Sequence, residues 1–389
     1  MDTQAQVMVL DDKINVRQRL QQLADWQGAW KAQVAFLDQK IAAMGDMPKA
    51  IDIQKAVQID SLRRQIELQQ VKIPLEISPE VIGALGYSKL RQHLVKQFTQ
   101  LSKEERLFWL NNFLFIMTPQ LRQLNIKIVQ IRNYRSFGQQ RNFLLGGYSG
   151  MGKTTYLDWF TSNYIPSVEP GRNHVPIIKI DAPEGKSVKE LLQYIILACG
   201  ANFLERDTEG KLMNKISFCF QKCGVEVLIV DEVEHIKYHS IRRRLLEVSN
   251  RTYHVPIICA SCEPHVWVEN DAEIAGRWND YFRLARYTSE KLKQLLAFLN
   301  LILPFPKDSL LAAAPKKNVT TTEGIKERED SSPEIAFVQQ VTRGILKDIM
   351  LLIRCASIEA VEQNLDCLKL DLLEKTWKKV QTQPLRSEA

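Results

Sequence analysis

The sequence predicts an α/β fold: a three-layer domain in which helices cover a five-stranded parallel sheet. Three observations predict it. From about residue 141 to 287, short β-branched runs alternate with helix-sized segments, as in parallel sheets whose strands are joined by helices. A glycine-rich sequence with the spacing of a phosphate-binding loop follows the first run. Two acidic residues end the third run, which is the second hallmark of a P-loop domain.

Composition divides the chain into five segments. The α/β segment spans residues 136–303, and its five predicted strands are short and apolar. These strands are residues 142–146, 175–182, 225–231, 255–261 and 281–287. The other segments are a helical hairpin extension at 1–75, a helical linker region at 76–135, a polar mobile insertion at 304–335, and a helical lid with the C-terminal tail at 336–389.

Apolar residues in the N-terminal extension follow a heptad pattern. They recur at alternating steps of four and three residues from Val16 to Met44, and Gln27 interrupts the apolar series. Such spacing is typical of a helical seam. A turn at 45–48 and a second helical pattern up to about residue 68 predict an antiparallel hairpin. The hairpin either packs on its own domain or is an arm for a partner protein or for self-association.

Residues 147–154 match the motif G-x-x-x-x-G-K-[ST], between a strand and a predicted helix. Glycines let backbone N–H groups close around a β-phosphate, and the helix N-terminus favours negative charge there. We expect Lys153 to reach the β- and γ-phosphates and Thr154 to bind Mg²⁺. ATP and Mg²⁺ are therefore the predicted cofactors. The predicted nucleotide contacts in this loop are Gly147, Ser149, Gly150, Met151, Gly152, Lys153, Thr154 and Thr155.

The apolar run 227–230 is followed directly by Asp231 and Glu232, which is the Walker B pattern. Asp231 is expected to hold the magnesium shell, together with Thr154. Glu232 is expected to orient and deprotonate the attacking water, a role that Asp231 alone does not supply. The two motifs together predict an ATPase.

The predicted strand at 255–261 is followed by a candidate for a polar sensor beside the γ-phosphate. Ser261 and Cys262 both occupy suitable positions. A thiol donates a weaker hydrogen bond than a hydroxyl. If Cys262 holds the position, slow turnover is expected.

These residues resemble the AAA+ ATPases of the TniB/TnsC type, which are target-selection regulators of DNA transposons, CRISPR-associated transposons included. The likeness extends over about residues 120–375. It rests on residues 147–154, 175–180, 223–232, 276–278 and on Thr342 with Gly344. The resemblance implies an AAA+ fold with a small α-helical lid. It also implies an ATP-dependent homo-oligomer, a ring or a helical filament on double-stranded DNA, that recruits a transposase and works with a target-site adaptor protein.

The resemblance also implies roles for single residues. Arg277 corresponds to an arginine finger that reaches a neighbouring subunit's γ-phosphate, and a cation supplied in this way stabilises the transition state. Lys347 in the lid corresponds to the second sensor, with Arg343 as the alternative. The positions that grip the DNA backbone correspond to Lys189 and Thr208, with Lys186 in support, and lysine and hydroxyl groups suit phosphate contacts.

Composition narrows the classes of protein to which the chain could belong. No apolar run approaches the ~18 residues needed to cross a bilayer, and the acidic N-terminal residues are not those of a signal peptide, so we expect a cytoplasmic protein without a membrane partner. The seven cysteines are an odd number scattered along the chain and indicate thiols, with Cys259 and Cys262 as a weak metal candidate. A net charge of +7 permits a nucleic-acid partner.

Two other functions fit the same motifs. A helicase loader or replication initiator shares the core and also acts on DNA, but its partner is a replicative helicase. A signalling switch would hold nucleotide with little turnover and would need no DNA. The basic run 242–244 is interpreted first as a helix surface and second as a contact to DNA or to another subunit.

Overall fold

A computed structural model of the chain describes residues 86–112, 116–134, 142–164, 167–169, 172–183, 187–236, 239–264, 267, 272–278, 280–309 and 332–382, and scattered positions between 15 and 42. The described positions between Val16 and residue 42 are helical. The second arm of the predicted hairpin, Lys186 and most of the predicted insertion lie outside the described residues.

The sheet has five parallel strands in the order β4-β5-β6-β1-β7. They are β1 (Phe143–Gly147), β4 (Ile177–Asp181), β5 (Val227–Asp231), β6 (Ile257–Ser261) and β7 (Asp280–Leu284), and an antiparallel ribbon of β2 (Ser167–Glu169) and β3 (Arg172–His174) precedes β4. Every residue of β1, β5 and β6 is buried, which explains why these strands are apolar runs without alternation. The predicted α/β fold with a five-stranded parallel sheet is confirmed.

The helices of the α/β unit lie on the two faces of the sheet. They are α3 (Pro119–Tyr134), α4 (Lys153–Ser162), α5 (Val188–Ala198), α6 (Glu209–Cys223), α7 (His239–Arg251) and α8 (Ala272–Arg277). Along the strand order of the sheet, the chain moves one way from β1 to β4 and the opposite way from β4 through β5 to β6. Because crossovers between parallel strands are right-handed, α4 lies on one face and α5 to α7 lie on the other. Tyr156 of α4 accordingly meets Asn125 of α3, at 3.0 Å between hydroxyl and amide oxygen. The opposite face packs in one apolar cluster with the buried residues of α5, α6 and α7.

The last strand ends three residues before the predicted limit of 287. Beyond Leu284 the chain leaves the sheet, and the Tyr287 N–H donates to the Gly344 carbonyl at 2.9 Å. Gly344 has φ +74°, and a Cβ there would lie 2.2 Å from the Tyr287 carbonyl oxygen. This turn therefore requires a glycine.

The second compact unit is helical. Its described elements are α1 (Tyr87–Phe98), α2 (Lys103–Asn112), α9 (Ser289–Ile302), α10 (Pro333–Thr342), α11 (Leu346–Glu362) and α12 (Leu370–Thr382). Chain contacts separate the two units after Thr118 and after Ala285, whereas composition predicted boundaries at 135 and 303. Across the described part of the chain, no helix is both long and apolar enough to cross a membrane.

Within the helical unit, Arg91 of α1 binds the chain at the end of α9. Its side chain is 4% exposed. The guanidinium donates to the carbonyls of Leu301, Leu303, Phe305 and Lys307 and to an Asp308 oxygen at 2.9 Å. One planar fork thus binds main-chain carbonyls in the last turn of α9 and just beyond it, where a helix leaves carbonyls without partners of its own.

Arg91→Met should destabilise the helical unit by about 3–5 kcal/mol, because the carbonyls of Leu301, Phe305 and Lys307 lose the Arg91 donor, and Leu303 keeps only the Phe305 N–H. Thermal unfolding followed by circular dichroism would show a lower Tm for the unit. Arg354→Met is the matched control, since Arg354 is exposed and binds only Asn111 among its recorded partners. We expect the control to shift stability by less than about 0.5 kcal/mol. Equal Tm values for the two variants would contradict the assigned role of Arg91.

Candidate active site

The predicted phosphate-binding loop joins the buried strand β1 to the first turn of α4. Gly150 and Gly152 have φ of +77° and +88°, left-handed conformations that turn successive N–H groups toward one point. Gly152 is the N-cap of α4, which begins at Lys153. The N-terminal end of this helix therefore faces the loop with unsatisfied N–H groups and partial positive charge, as a phosphate requires.

Lys153 lies inside the loop, with 8% of its surface exposed. Its ammonium donates to the carbonyls of Gly147 at 2.7 Å and Tyr148 at 3.3 Å, and it lies 3.2 Å from the Cys262 sulfur. These recorded acceptors are all uncharged. A buried cation with neutral acceptors is stabilised further by an anion, so the loop suits a phosphate oxygen.

Asp231 carries the donor set expected of a magnesium site. It is 1% exposed, and its carboxylate accepts the Glu232 N–H at 2.9 Å; burial raises its pKa, and the nearby Thr154 hydroxyl is among the groups that oppose this rise. Its Oδ2 atom has no hydrogen-bond partner, since the nearest cation, Lys179, lies 3.6 Å away, an ion-pair distance too long for a hydrogen bond. Mg²⁺ prefers carboxylate, hydroxyl and water oxygens, so Asp231 and Thr154 fit the ion predicted for them.

Lys179 is a residue of this site that sequence reasoning missed. It comes from β4, is 16% exposed, and binds Asp158 of α4 at 2.7 Å as well as facing Asp231. Burial lowers the pKa of Lys179, but Asp158, Asp231 and Asp181 outweigh burial and raise it above the ordinary value. For Asp231, burial raises the pKa and Lys179 opposes that rise. The available signal was a single lysine within the apolar run Ile177–Ile180.

Glu232 stands beside Asp231 at the end of β5, but in a different environment. Its side chain is exposed, and its backbone has φ +56°, in the left-handed region. A non-glycine residue there costs about 1 kcal/mol or more, and such strained residues cluster at active sites. The short helix Val233–His235 begins directly after it. The turn thus gives the site two carboxylates in different environments. The buried Asp231 suits a metal ion, and the exposed Glu232 can reach a water molecule.

Of the two candidate sensor residues, the structure brings Cys262 to the phosphate-binding lysine. The Ser261 hydroxyl instead accepts the Glu263 N–H at 3.0 Å. Burial raises the pKa of the Cys262 thiol. The Cys262 N–H faces both carboxylate oxygens of Glu234 at 3.4 Å, and this second contact of the site was not predicted either. Within the described residues no three or more His, Cys, Asp or Glu side chains cluster in a way that could hold a metal ion, so no such cluster supports the Cys259–Cys262 pair as a metal site.

Replacing Cys262 with asparagine should raise the rate of ATP hydrolysis several-fold, because an amide donates a stronger hydrogen bond than a thiol to a γ-phosphate or to attacking water. The steady-state rate at saturating ATP measures this effect. Cys355→Asn, a substitution of a half-buried thiol in α11, is the control. An unchanged or lower rate for Cys262→Asn would argue against a sensing role for this side chain.

The remaining predicted residues lie at three places. Arg277 is the exposed last residue of α8. Lys189 and Thr208 are neighbours: the Lys189 ammonium donates to the Glu205 carbonyl, and Thr208 caps α6 by accepting the Lys211 N–H at 3.4 Å. Arg343 ends α10 with φ +51°, and Lys347 is exposed in the first turn of α11, both within the helical unit. The sensor role of either residue stays a prediction.

The basic run 242–244 has largely structural contacts. Arg242 donates to the Trp267 carbonyl at 3.1 Å, and its guanidinium lies 5.4 Å from the centre of the Trp267 ring. Arg244 forms ion pairs with Glu209, at 3.0 Å, and with Glu247. The Arg244 ion pairs agree with the first interpretation of the run, a helix surface, whereas Arg242 packs against Trp267.

Comparison with known proteins gives one match to a family. Residues 106–288 match the family described as bacterial TniB protein. A search of curated proteins found no match. Similar solved structures include the Aeropyrum pernix ORC1 protein in complex with DNA, with 14% identity, 68% of each chain covered and a TM-score of 0.44.

Two further structures are similar at the same level. The Aeropyrum pernix ORC2 protein has 13% identity over 70% of this chain and 71% of its own, with a TM-score of 0.46. The Thermotoga maritima RuvB Holliday junction branch migration motor has 14% identity over 67% and 70%, with a TM-score of 0.40. Likeness at this level adds no argument about function.

The matched segment contains the phosphate-binding loop, the acidic end of β5 and the helix that carries Arg277, and it ends before the helical segment that the resemblance also covered. The match over residues 106–288 thus supports a TniB/TnsC-type protein, in agreement with the resemblance carried by the motifs and with the five-stranded parallel sheet.

Proposed function

We propose that this chain is an ATP-dependent regulator of DNA transposition. It binds ATP and Mg²⁺, assembles as a ring or filament on double-stranded DNA, and recruits a transposase to the marked target site, together with an adaptor protein. The observation that supports the proposal is a phosphate-binding loop whose Lys153 and Thr154 open helix α4, together with a buried Asp231 at the end of β5 whose pKa Thr154 influences, within the segment that matches the bacterial TniB family. The subsequent steps follow from the chemistry of this site.

Nucleotide binding uses groups that face the loop. The N–H groups at the start of α4 surround the β-phosphate, and the Lys153 ammonium exchanges its carbonyl acceptors for β- and γ-phosphate oxygens. Thr154 and Asp231 would hold Mg²⁺, which would neutralise negative charge on the phosphates. Lys179 keeps a positive charge near the buried Asp231 carboxylate and links it to α4 through Asp158.

Hydrolysis needs two further groups. The accessible Glu232 carboxylate accepts a proton from the attacking water, and the buried Asp231 would remain a metal ligand. Arg277 of a neighbouring subunit stabilises the charge on the transferred phosphoryl group. Because this cation comes from another copy of the chain, turnover depends on assembly.

Double-stranded DNA is the proposed partner of the surface around Lys189 and Thr208. The hydrogen bond from Lys189 to the Glu205 carbonyl brings the lysine next to the loop that ends at Thr208. An ammonium, a hydroxyl and the N-terminus of α6 are all suited to phosphate oxygens and carry no sequence information. The proposed contact is therefore to the DNA backbone.

Replacing Lys189 with alanine should weaken DNA binding about equally for all sequences and reduce the slope of log affinity against log salt by about one. Fluorescence anisotropy with labelled duplexes at several salt concentrations measures both effects. The control is Lys222→Ala, which removes an exposed lysine near the C-terminal end of α6. If both variants keep the slope of the parent protein, the DNA contact lies elsewhere.

Electron microscopy of the protein with duplex DNA and a non-hydrolysable ATP analogue tests the proposal as a whole. Regular rings or filaments that require both DNA and nucleotide would support it. Nucleotide binding without any response to DNA would favour a signalling switch. Recovery of a replicative helicase, rather than a transposase or adaptor, in a pull-down would favour a helicase loader. The same pull-down with residues 1–75 removed tests whether the N-terminal extension binds the partner, and unchanged recovery would contradict that role.

A further inference from the structure

A pair of buried tryptophans anchors the helix that carries Arg277. Helix α8 ends at Arg277. The next residue, Trp278, is 4% exposed, and its backbone N–H donates to the Ile274 carbonyl at 3.0 Å. The Trp278 ring meets the Trp267 ring edge-on, with centroids 5.6 Å apart and planes at 75°. Edge-to-face pairs of this kind prefer a defined geometry. The direction in which α8 ends is thus fixed by Trp267.

Arg242 fixes Trp267 in turn. From α7, one guanidinium nitrogen donates to the Trp267 carbonyl at 3.1 Å, while the group lies 5.4 Å from the centre of the indole ring. A second nitrogen of the same group donates to the Ile236 carbonyl at 3.5 Å. Ile236 directly follows the short helix that begins after Glu232. The Arg242 guanidinium therefore contacts both the turn that follows Glu232 and Trp267, which packs against the end of the helix that carries Arg277.

We propose that Arg242 is a positioning residue for Arg277: through Trp267 and Trp278 it sets the place from which Arg277 reaches the nucleotide of a neighbouring subunit. This inference rests on the proposed function, in which Arg277 acts in trans. A hydrophobic residue could fill the same volume beside Trp267. Only a fork of donors fixes two main-chain carbonyls and stacks on the ring at once, which neither methionine nor lysine reproduces.

The effect expected from Arg242→Met follows from the cost of misplacing a catalytic group. A shift of about 1 Å can cost about 100-fold in rate, whereas loss of an arginine finger costs about 1,000-fold or more. We expect kcat of the DNA-bound assembly to fall about 10- to 100-fold, with KM for ATP little changed, because the groups that bind ATP come from the other subunit. Arg242→Lys, which keeps the charge beside the ring but loses the fork, should give an intermediate kcat.

Mixed assemblies separate an effect on the neighbour from damage within the subunit. Glu232→Gln subunits are inactive in their own site but present an intact Arg277. When they are mixed with Arg242→Met subunits, some intact sites face an intact finger, and the rate per Arg242→Met subunit should rise toward the wild-type rate. A parallel mixture of Arg277→Ala with Glu232→Gln reports on the finger itself. Arg251→Met, an exposed arginine at the end of the same helix α7, is the matched control and should keep the wild-type rate.

The outcomes distinguish the inference from the proposed function. Recovery in both mixtures supports both. If the Arg277→Ala mixture recovers and the Arg242→Met mixture does not, the role of Arg242 is overturned and the proposed function stands. The same conclusion follows if Arg242→Met alone loses no rate. No recovery with Arg277→Ala overturns the trans-acting finger and the inference with it. Should Arg242→Met fail to fold, Trp267→Phe, which keeps an aromatic ring but reduces its contact with Trp278, takes its place in the same mixtures.

Discussion

Lys153→Ala should abolish ATP binding in the range in which the parent protein binds it, and ATP-driven assembly on DNA should be lost with it. The ammonium lies inside the phosphate-binding loop and makes three contacts with uncharged atoms there. Each hydrogen bond of a charged group contributes about 1.5–3 kcal/mol, and Lys153 is expected to make two with the triphosphate. Their loss corresponds to an affinity about 100-fold lower or worse.

Calorimetric titration with ATP and Mg²⁺ measures the affinity, and light scattering with duplex DNA measures assembly. Lys127→Ala, which removes an exposed lysine of α3 in the same unit, is the control and should behave as the parent protein in both experiments. Circular dichroism establishes that Lys153→Ala keeps its helices and sheet. A folded Lys153→Ala protein that binds ATP and assembles normally would remove the foundation of the proposed function.

The loop and the acidic strand end could be predicted because each is a local pattern. Residues 147–154 carry the required glycines, lysine and hydroxyl in one stretch, and four apolar residues before Asp231 indicate a buried strand that ends at a sheet edge. Both patterns keep their meaning without any knowledge of which strands are neighbours.

Lys179, Glu234 and Arg242 escaped prediction because their roles depend on pairing between distant segments. Lys179 lies beside Ile229 in the register of β4 and β5, which brings its ammonium to Asp231, two residues along the neighbouring strand. Nothing near Lys179 in the sequence indicates this register. Arg242 likewise looked like part of a solvated basic run, and only the fold brings it to Trp267.

The limit of the last strand was overestimated for a related reason. Residues 281–287 read as one continuous run, but Tyr287 pairs with Gly344, more than fifty positions away, and this bond takes the chain out of the sheet. The same separation affects the helical segments. Helix α9 follows the sheet closely in sequence, yet Arg91 of α1 binds the carbonyls at its end, so α9 belongs to the helical unit.

Glu232→Gln should separate nucleotide binding from hydrolysis. The amide keeps the size and the exposed position of the side chain but cannot accept a proton from water, and general-base catalysis contributes about 100- to 10,000-fold to a rate. Asp231 and Thr154 are unchanged, so ATP and Mg²⁺ should still bind. We therefore expect kcat to fall by that factor, while ATP affinity stays within about threefold and assemblies on DNA persist instead of turning over.

Single-turnover hydrolysis of radiolabelled ATP measures the chemical step, and the lifetime of DNA-bound assemblies after ATP is removed measures their persistence. Glu263→Gln is the matched control, because Glu263 is an exposed carboxylate just beyond β6 whose recorded contact to Ser261 uses only its backbone N–H. It should hydrolyse ATP at the parent rate. Should Glu232→Gln hydrolyse ATP as fast as Glu263→Gln, another group activates the water. The exposed side chain and left-handed backbone of Glu232 would then serve a purpose other than water activation.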